Sequence, residues 1–368
     1  MPKPSYFLGI DFGTSGARAC VIADTGEIED MARVDYAQAT ESQAWAQALY
    51  DLVTQVPASL RGRLSALAVD GTSATMLACD KTFAPLAAPL MYHDARAILE
   101  AGRIAERAGA THPAAMPTSG LAKAMWLCQQ PFRHAPRWLL SQADWLSALL
   151  SGRASTDYHN ALKMGLAFKP DGACWPDWLN DCLDSRTLPL ALPPGAGVSL
   201  ITAPQARRLG LSGDCLVRAG TTDSIAAFLA AGANQAGEGV TSLGTTLALK
   251  LLSESRIDDA RYGVYSHWFG ALWLAGGASN AGGGVLAQHF SPTELEALSA
   301  RIEPERPAGL NYYPLPRPGE RFPINDPTLA PRLTPVPATR TAFLQGILEG
   351  LAEIEATGYA RLHALGGP

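Results

Sequence analysis

The chain has 368 residues, 47% of them hydrophobic and 17% charged, a mixture that buries enough apolar surface for two globular domains and excludes a disordered or fibrous protein. A net charge of −5 without any long Lys/Arg run argues against a nucleic-acid-tracking surface, and no apolar stretch reaches the length of a membrane span. Six scattered cysteines without a CxxC pair fit neither a zinc site nor a disulfide framework, so a soluble protein of the reducing cytoplasm is expected.

In chain order, the run at residues 6–12 reads as a strand with Asp11 next to its end, and a turn of small residues leads into a second apolar run at 17–24. Helical periodicity follows at 41–56, then strand-like runs at 64–71 and 74–80. Further helical patterns lie at 141–152 and 221–232, the second overlapping the end of a strand-like run at 215–222. The turn-rich stretch 232–239 separates this half from a new set of strands at 239–253 and 271–279, so the expected domains are 1–234 and 235–368. Helices are expected at 291–302 and 341–366, and the Pro-rich stretch 312–323 reads as an arm packed on the second domain.

Two segments echo one another. Residues 10–22 and 241–252 each set a Gly-Thr-Ser/Thr turn between apolar runs, which suggests a duplicated hairpin. Neither the P-loop spacing nor a GxGxxG turn is present. Glycine in a tight turn exposes backbone N–H groups, and neighbouring hydroxyls complete a small concavity suited to phosphate oxygens. Gly13 and Thr14 on the first turn and Gly244, Thr245 and Thr246 on the second are therefore candidate phosphate contacts, together with Gly276 and Gly277 from the glycine-rich run that follows. Asp11 needs a partner if it is buried, and the hydration shell of a Mg²⁺ ion carried by nucleotide phosphates supplies one. Arg18 either neutralises phosphate charge or points into solvent.

Asp223 opens a helix and suits either an N-cap or a general base for phosphoryl transfer to an alcohol. Asp70, Gly71, Thr72 and Ser73 end another strand with groups that bind a polyol, and Asp94 with Arg96 either join them or form a local ion pair. His93, His159 and His267 lack metal-ligand spacing and carry no metal assignment.

These segments in this order resemble the FGGY carbohydrate kinases, members of the actin, hexokinase and Hsp70 superfamily. The likeness rests on 9–18, 219–232 and 241–250, with further matches at 123–126, 144–152, 156–165 and 343–354. It implies an α/β fold of two ribonuclease-H-like domains around a central cleft. It also implies ATP and Mg²⁺ as cofactors, Asp223 as catalytic base, and a sugar pocket formed by Asp11, Ser15, Gly16, Ala17, Arg18, Gly71, Thr72, Ser73 and Asp223. Within the family the likeness runs to short enzymes that phosphorylate D-ribulose. Gly71-Thr72-Ser73-Ala74 stands where typical xylulose kinases carry a Met-His pair, which disfavours D-xylulose as the acceptor. The partners implied are a ketopentose and ATP, with a homodimer as one assembly. The family normally continues beyond the segment at 361–368 into an adenine-binding motif, so the resemblance leaves a sugar-binding remnant without turnover as the alternative, with exposed apolar surface expected on the second domain.

Overall fold

The computed structural model describes residues 5–36, 40–169 and 172–368. The chain forms two compact units that divide between Ala227 and Phe228, inside a helix.

The first unit is organised by a six-stranded sheet. Strands β1 (Tyr6–Phe12), β2 (Gly16–Ala23) and β3 (Ile28–Asp35) form an antiparallel meander. On the other side of β1 lies β4 (Leu64–Gly71), paired parallel to it. The alternation of β1 explains its place: Tyr6, Leu8, Ile10 and Phe12 are all buried. On one face packs α1 (Ser42–Gln55), whose Trp45, Leu49, Leu52 and Val53 are fully buried.

After β4 the chain turns into β5 (Met76–Cys79) and reaches α2 (Gly120–Cys128), whose N-terminus is capped by the Ser119 hydroxyl. Strand β6 (Trp138–Ser141) pairs antiparallel with β5 and leads directly into α3 (Gln142–Ser151). Helix α3 opens with a reciprocal Ser141–Asp144 capping box and stops at Gly152, which takes the left-handed conformation at φ 67°. A short strand β7 (Ser155–Asp157) then runs into α4 (Tyr158–Leu162). Strands β8 (Gly197–Leu200) and β9 (Leu216–Thr222) complete the sheet in the order β8-β9-β4-β1-β2-β3, and α5 (Asp223–Ala230) follows β9 without a loop.

The second unit holds a four-stranded antiparallel sheet of β10 (Gly239–Leu243), β11 (Leu247–Ser253), β12 (Tyr265–Phe269) and β13 (Leu272–Ser279), in the order β10-β11-β13-β12. The expected second hairpin is thus β10–β11, as β1–β2 is the first. After β13 comes α6 (Gly283–His289), and α7 (Arg340–Ala364) covers the sheet with Phe343, Leu344, Ile347, Leu351 and Ile354 buried. The Pro-rich arm packs into this core, with Tyr312 and Phe322 buried. Glycines in α7 admit it: a Cβ at Gly346 would lie 3.0 Å from the Tyr312 ring, and one at Gly350 would lie 2.9 Å from Pro314.

Candidate functional site

The β1–β2 hairpin closes with the Gly13 N–H donating to the Gly16 carbonyl at 3.0 Å. Its tip borders a cavity of 210 Å³ lined by Asp11, Gly13, Thr14, Ser15, Gly16, Arg18 and Arg33. Gly16 has a steric reason, since a Cβ there would sit 2.7 Å from the Val34 carbonyl oxygen. Arg18 stands opposite Asp11 on one side and opposite Arg33 on the other. Arg33, which the sequence reading passed over, is held by Asp35 at 2.9 Å. Ala17 departs from expectation: its methyl group is wholly buried in the sheet core, so no side-chain contact to a sugar is open to it.

Parallel pairing sets Asp11 beside Asp70, and Asp70 beside Thr221. Asp223 follows two residues later at the start of α5. Burial, reinforced by the Asp11 charge, a hydrogen bond with Asp11 and the charges of Asp223 and Asp157, raises the Asp70 carboxyl to about 9. Asp70 therefore keeps its proton at neutral pH, while its Oδ1 is buried with no hydrogen-bond partner in the structure. The strand spacing depends on Gly220, where a Cβ would lie 1.8 Å from the Val69 carbonyl oxygen and the β9–β4 register shifts. Asp223 Oδ1 accepts from the Ser224 N–H at 2.6 Å, so the carboxylate steadies the first turn of its own helix.

Behind this group lies a polar layer in which sequence reasoning noted only His159, and that without a role. Asp157 caps α4 through the His159 and Asn160 N–H groups at 2.8 and 3.1 Å, and its other oxygen accepts from Asn160 Nδ2 at 2.6 Å. His159 Nδ1 lies 2.7 Å from the Thr221 hydroxyl, tying α4 to β9. Burial and the Asp157 charge push Asp144 up to about 7. An Asp followed within three residues by Asn at a helix start is the signal that was available for Asp157.

The loop after β4 corrects another expectation. Thr72 is buried, and its N–H and hydroxyl both donate to Gln142 Oε1, at 3.0 and 2.8 Å. Its hydroxyl also lies 2.6 Å from that of Thr75, so Thr72 is committed to holding the loop and is not free to bind a polyol. Gly71 abuts the same Gln142, at 3.0 Å from a notional Cβ, whereas Ser73 is half-buried. Asp94 and Arg96 form a local ion pair at 2.8 Å, and the guanidinium also lies 5.0 Å from the Trp126 ring.

In the second unit, the β10–β11 tip carries Gly244, Thr245 and Thr246, with Gly244 and Thr245 exposed. The Gly283 and Gly284 N–H groups donate to the Gly244 and Thr245 carbonyls at 2.7 and 3.0 Å, bringing the start of α6 against the tip. A Cβ at Gly282 would lie 2.6 Å from Thr246. Gly276 and Gly277 do not join this tip. They sit within β13, where a Cβ on Gly277 would meet the Phe322 ring at 2.6 Å and one on Gly276 the Leu249 carbonyl at 2.9 Å. Their smallness serves packing, and the glycines beside the tip are Gly282, Gly283 and Gly284. Glu320 from the Pro-rich arm, itself buried, accepts from the Ser279 hydroxyl and the Asn280 N–H and so fixes the turn leading to them.

Among the described residues no three His, Cys, Asp or Glu side chains are gathered as a metal-holding group, and no helix is long and apolar enough to cross a membrane.

The FGGY family of carbohydrate kinases, N-terminal domain, matches residues 6–230. A xylulose kinase of Lactococcus lactis subsp. lactis (strain IL1403) is 24% identical over 263 residues, which make up 66% of this chain and 52% of that relative, so the match spans about half of its length. A solved structure described as a xyloylose kinase from Brucella ovis superposes with a TM-score of 0.85 at 20% identity, covering 98% of this chain and 80% of that one. Plasmodium falciparum glycerol kinase with ADP superposes with a TM-score of 0.80 at 15% identity, covering 99% of this chain and 80% of that one.

Proposed function

Because the chain belongs to the FGGY family of carbohydrate kinases, we propose that it transfers the γ-phosphoryl group of ATP to a ketopentose, with D-ribulose as acceptor and D-ribulose 5-phosphate as product. The observation that carries this reading is the carboxylate group at the strand ends of the first unit. Asp70 is held protonated beside Asp11, and Asp223, which opens the helix after β9, is the carboxylate assigned here as the base. The acceptor hydroxyl oxygen bonds to the γ-phosphorus while the bond from phosphorus to the bridging oxygen breaks. The hydroxyl proton passes to Asp223, and ADP leaves with the bridging oxygen.

In this reading the Gly13–Ser15 turn and the Gly244–Thr246 turn bind phosphate oxygens, and Arg18 and Arg33 balance their charge. Mg²⁺ fits the donor chemistry at Asp11: carboxylate oxygens suit a hard cation, and the unpartnered Asp70 Oδ1 is a buried acceptor that a water carried by the ion would satisfy. Bound on the nucleotide phosphates, the ion would supply charge neutralisation.

D-xylulose is the second reading, favoured by the name of the Lactococcus relative. An ADP-release assay across D-ribulose, D-xylulose, other ketopentoses and polyols tests both, with the highest kcat/KM expected for D-ribulose. Asp223→Asn is expected to lower turnover about a thousandfold with folding intact. No sugar-dependent ADP release from any acceptor, or undiminished turnover in the variant, would overturn the proposal.

A further inference from the structure

Lys123 on α2 is wholly buried, a rare position for a lysine. Among the described residues no carboxylate forms a salt bridge with it. Its three ammonium protons instead meet three backbone carbonyls: Ala74 at 2.9 Å, Met91 at 2.7 Å and Tyr92 at 3.0 Å. These acceptors belong to two separate segments, the loop after β4 that carries Thr72 and Ser73 and the segment that continues to Asp94 and Arg96. Ala74 holds φ at 62°, a left-handed conformation that a residue with a Cβ keeps only when its surroundings impose it.

We propose that Lys123 is a positioning residue which clamps the 72–75 loop to the 91–92 segment and thereby fixes the shape of the acceptor-sugar pocket. The inference rests on the kinase reading only in taking these two segments as the pocket wall. The clamp itself is a property of the first unit alone.

The arrangement also carries a pH dependence. Burial lowers the Lys123 ammonium to about 8, with the Asp94 charge opposing and the Lys163 charge assisting the shift. Asp94 is itself paired with Arg96, and Lys163 approaches through the bond from the Leu121 N–H to its carbonyl. As pH rises through about 8, the amine keeps two protons for three acceptors, and one carbonyl loses its donor. Ground-state recognition of the sugar should weaken there, while nucleotide recognition should not.

The test has two arms. In steady-state kinetics the wild-type KM for D-ribulose should rise about tenfold across this range with the KM for ATP unchanged. Lys123→Met should show the raised value at neutral pH with no further rise, and Lys123→Arg, which keeps its charge, should restore most of the affinity and flatten the profile. Hydrogen exchange of the protein without ligands forms the second arm. Amides at 72–75 and 91–94 should exchange about tenfold faster in Lys123→Met than in wild type, with the β1–β2 amides unaffected. A wild-type acceptor KM flat across this range, or unchanged protection of both segments in the variant, overturns the clamp. Because exchange needs no turnover, a chain that phosphorylates no sugar would refute the kinase reading while the clamp is still judged on its own. If Lys123→Met does not fold, wild-type exchange measured below and above pH about 8 decides: faster exchange confined to both segments supports the clamp, and equal protection refutes it.

Discussion

Replacing Asp70 by Asn should make the first unit more stable at neutral pH, although Asp70 lies in the proposed active site. The folded carboxyl titrates at about 9 against an ordinary value of 3.8. A raised native value means that its contribution to stability is complete below 3.8 and is lost progressively as pH rises toward about 9. At pH 7 the unfolded chain has ionised and the folded chain has not, a gap of about three pH units worth about 4 kcal/mol at roughly 1.4 kcal/mol per unit. Asn mimics the protonated acid and can still donate to Asp11, so Asp70→Asn should recover a large share of that figure. Urea unfolding followed by tryptophan fluorescence, at several pH values between about 6 and 8, reads both the gain and the slope. The wild type should weaken with pH faster than the variant, whose remaining slope belongs to Asp144 and Asp157, both also raised by burial. A variant no more stable than wild type at pH about 7, with an identical slope, would refute the account of Asp70 as a buried neutral acid.

Gly220→Ala should destabilise the first unit by about 3 kcal/mol or more, because its methyl group meets the Val69 carbonyl at 1.8 Å and must push β9 from β4; the same urea titration reads the loss. Gln142→Leu should cost about 2 kcal/mol by stranding the buried Thr72 N–H, while the Thr72 hydroxyl keeps Thr75 as its partner, and should speed hydrogen exchange of the loop after β4. Gly277→Ala should lower the thermal midpoint through its contact with the Phe322 ring, at a cost of about 2 kcal/mol, and leave the KM for ATP within twofold of about its starting value. Gly283→Ala, whose methyl group would press on the Gly244 carbonyl at 2.7 Å, should instead raise the KM for ATP severalfold by displacing the β10–β11 tip; equal KM values for the two variants would refute the separation of roles.

Much of the architecture was legible in the chain because it is local. Alternation in β1, the Ser141 that opens the helical pattern at 141–152, and the small-residue turns at 13–15 and 244–246 each report backbone preferences that neighbours in sequence decide. The same locality made Asp11 and Asp223 visible as polar residues at the ends of apolar runs. The sequence could not tell which glycines line a turn and which merely make room: Gly277 is answered by Phe322 and Gly282 by Thr246, partners that only folding brings near. Nor could it tell that Thr72 spends its hydroxyl on Gln142, seventy positions away.

What the sequence by itself determined was the alternation of strands and helices, the paired hairpins and the chemistry available at their tips. Only the tertiary structure decided the protonation of Asp70, the polar layer of Asp157 and His159 behind it, and the burial of Lys123 against three carbonyls. The physical reason is that dielectric environment and hydrogen-bond partners belong to the space around a group. That space is filled by side chains far along the chain, whose arrival depends on strand order and helix packing rather than on the residue itself.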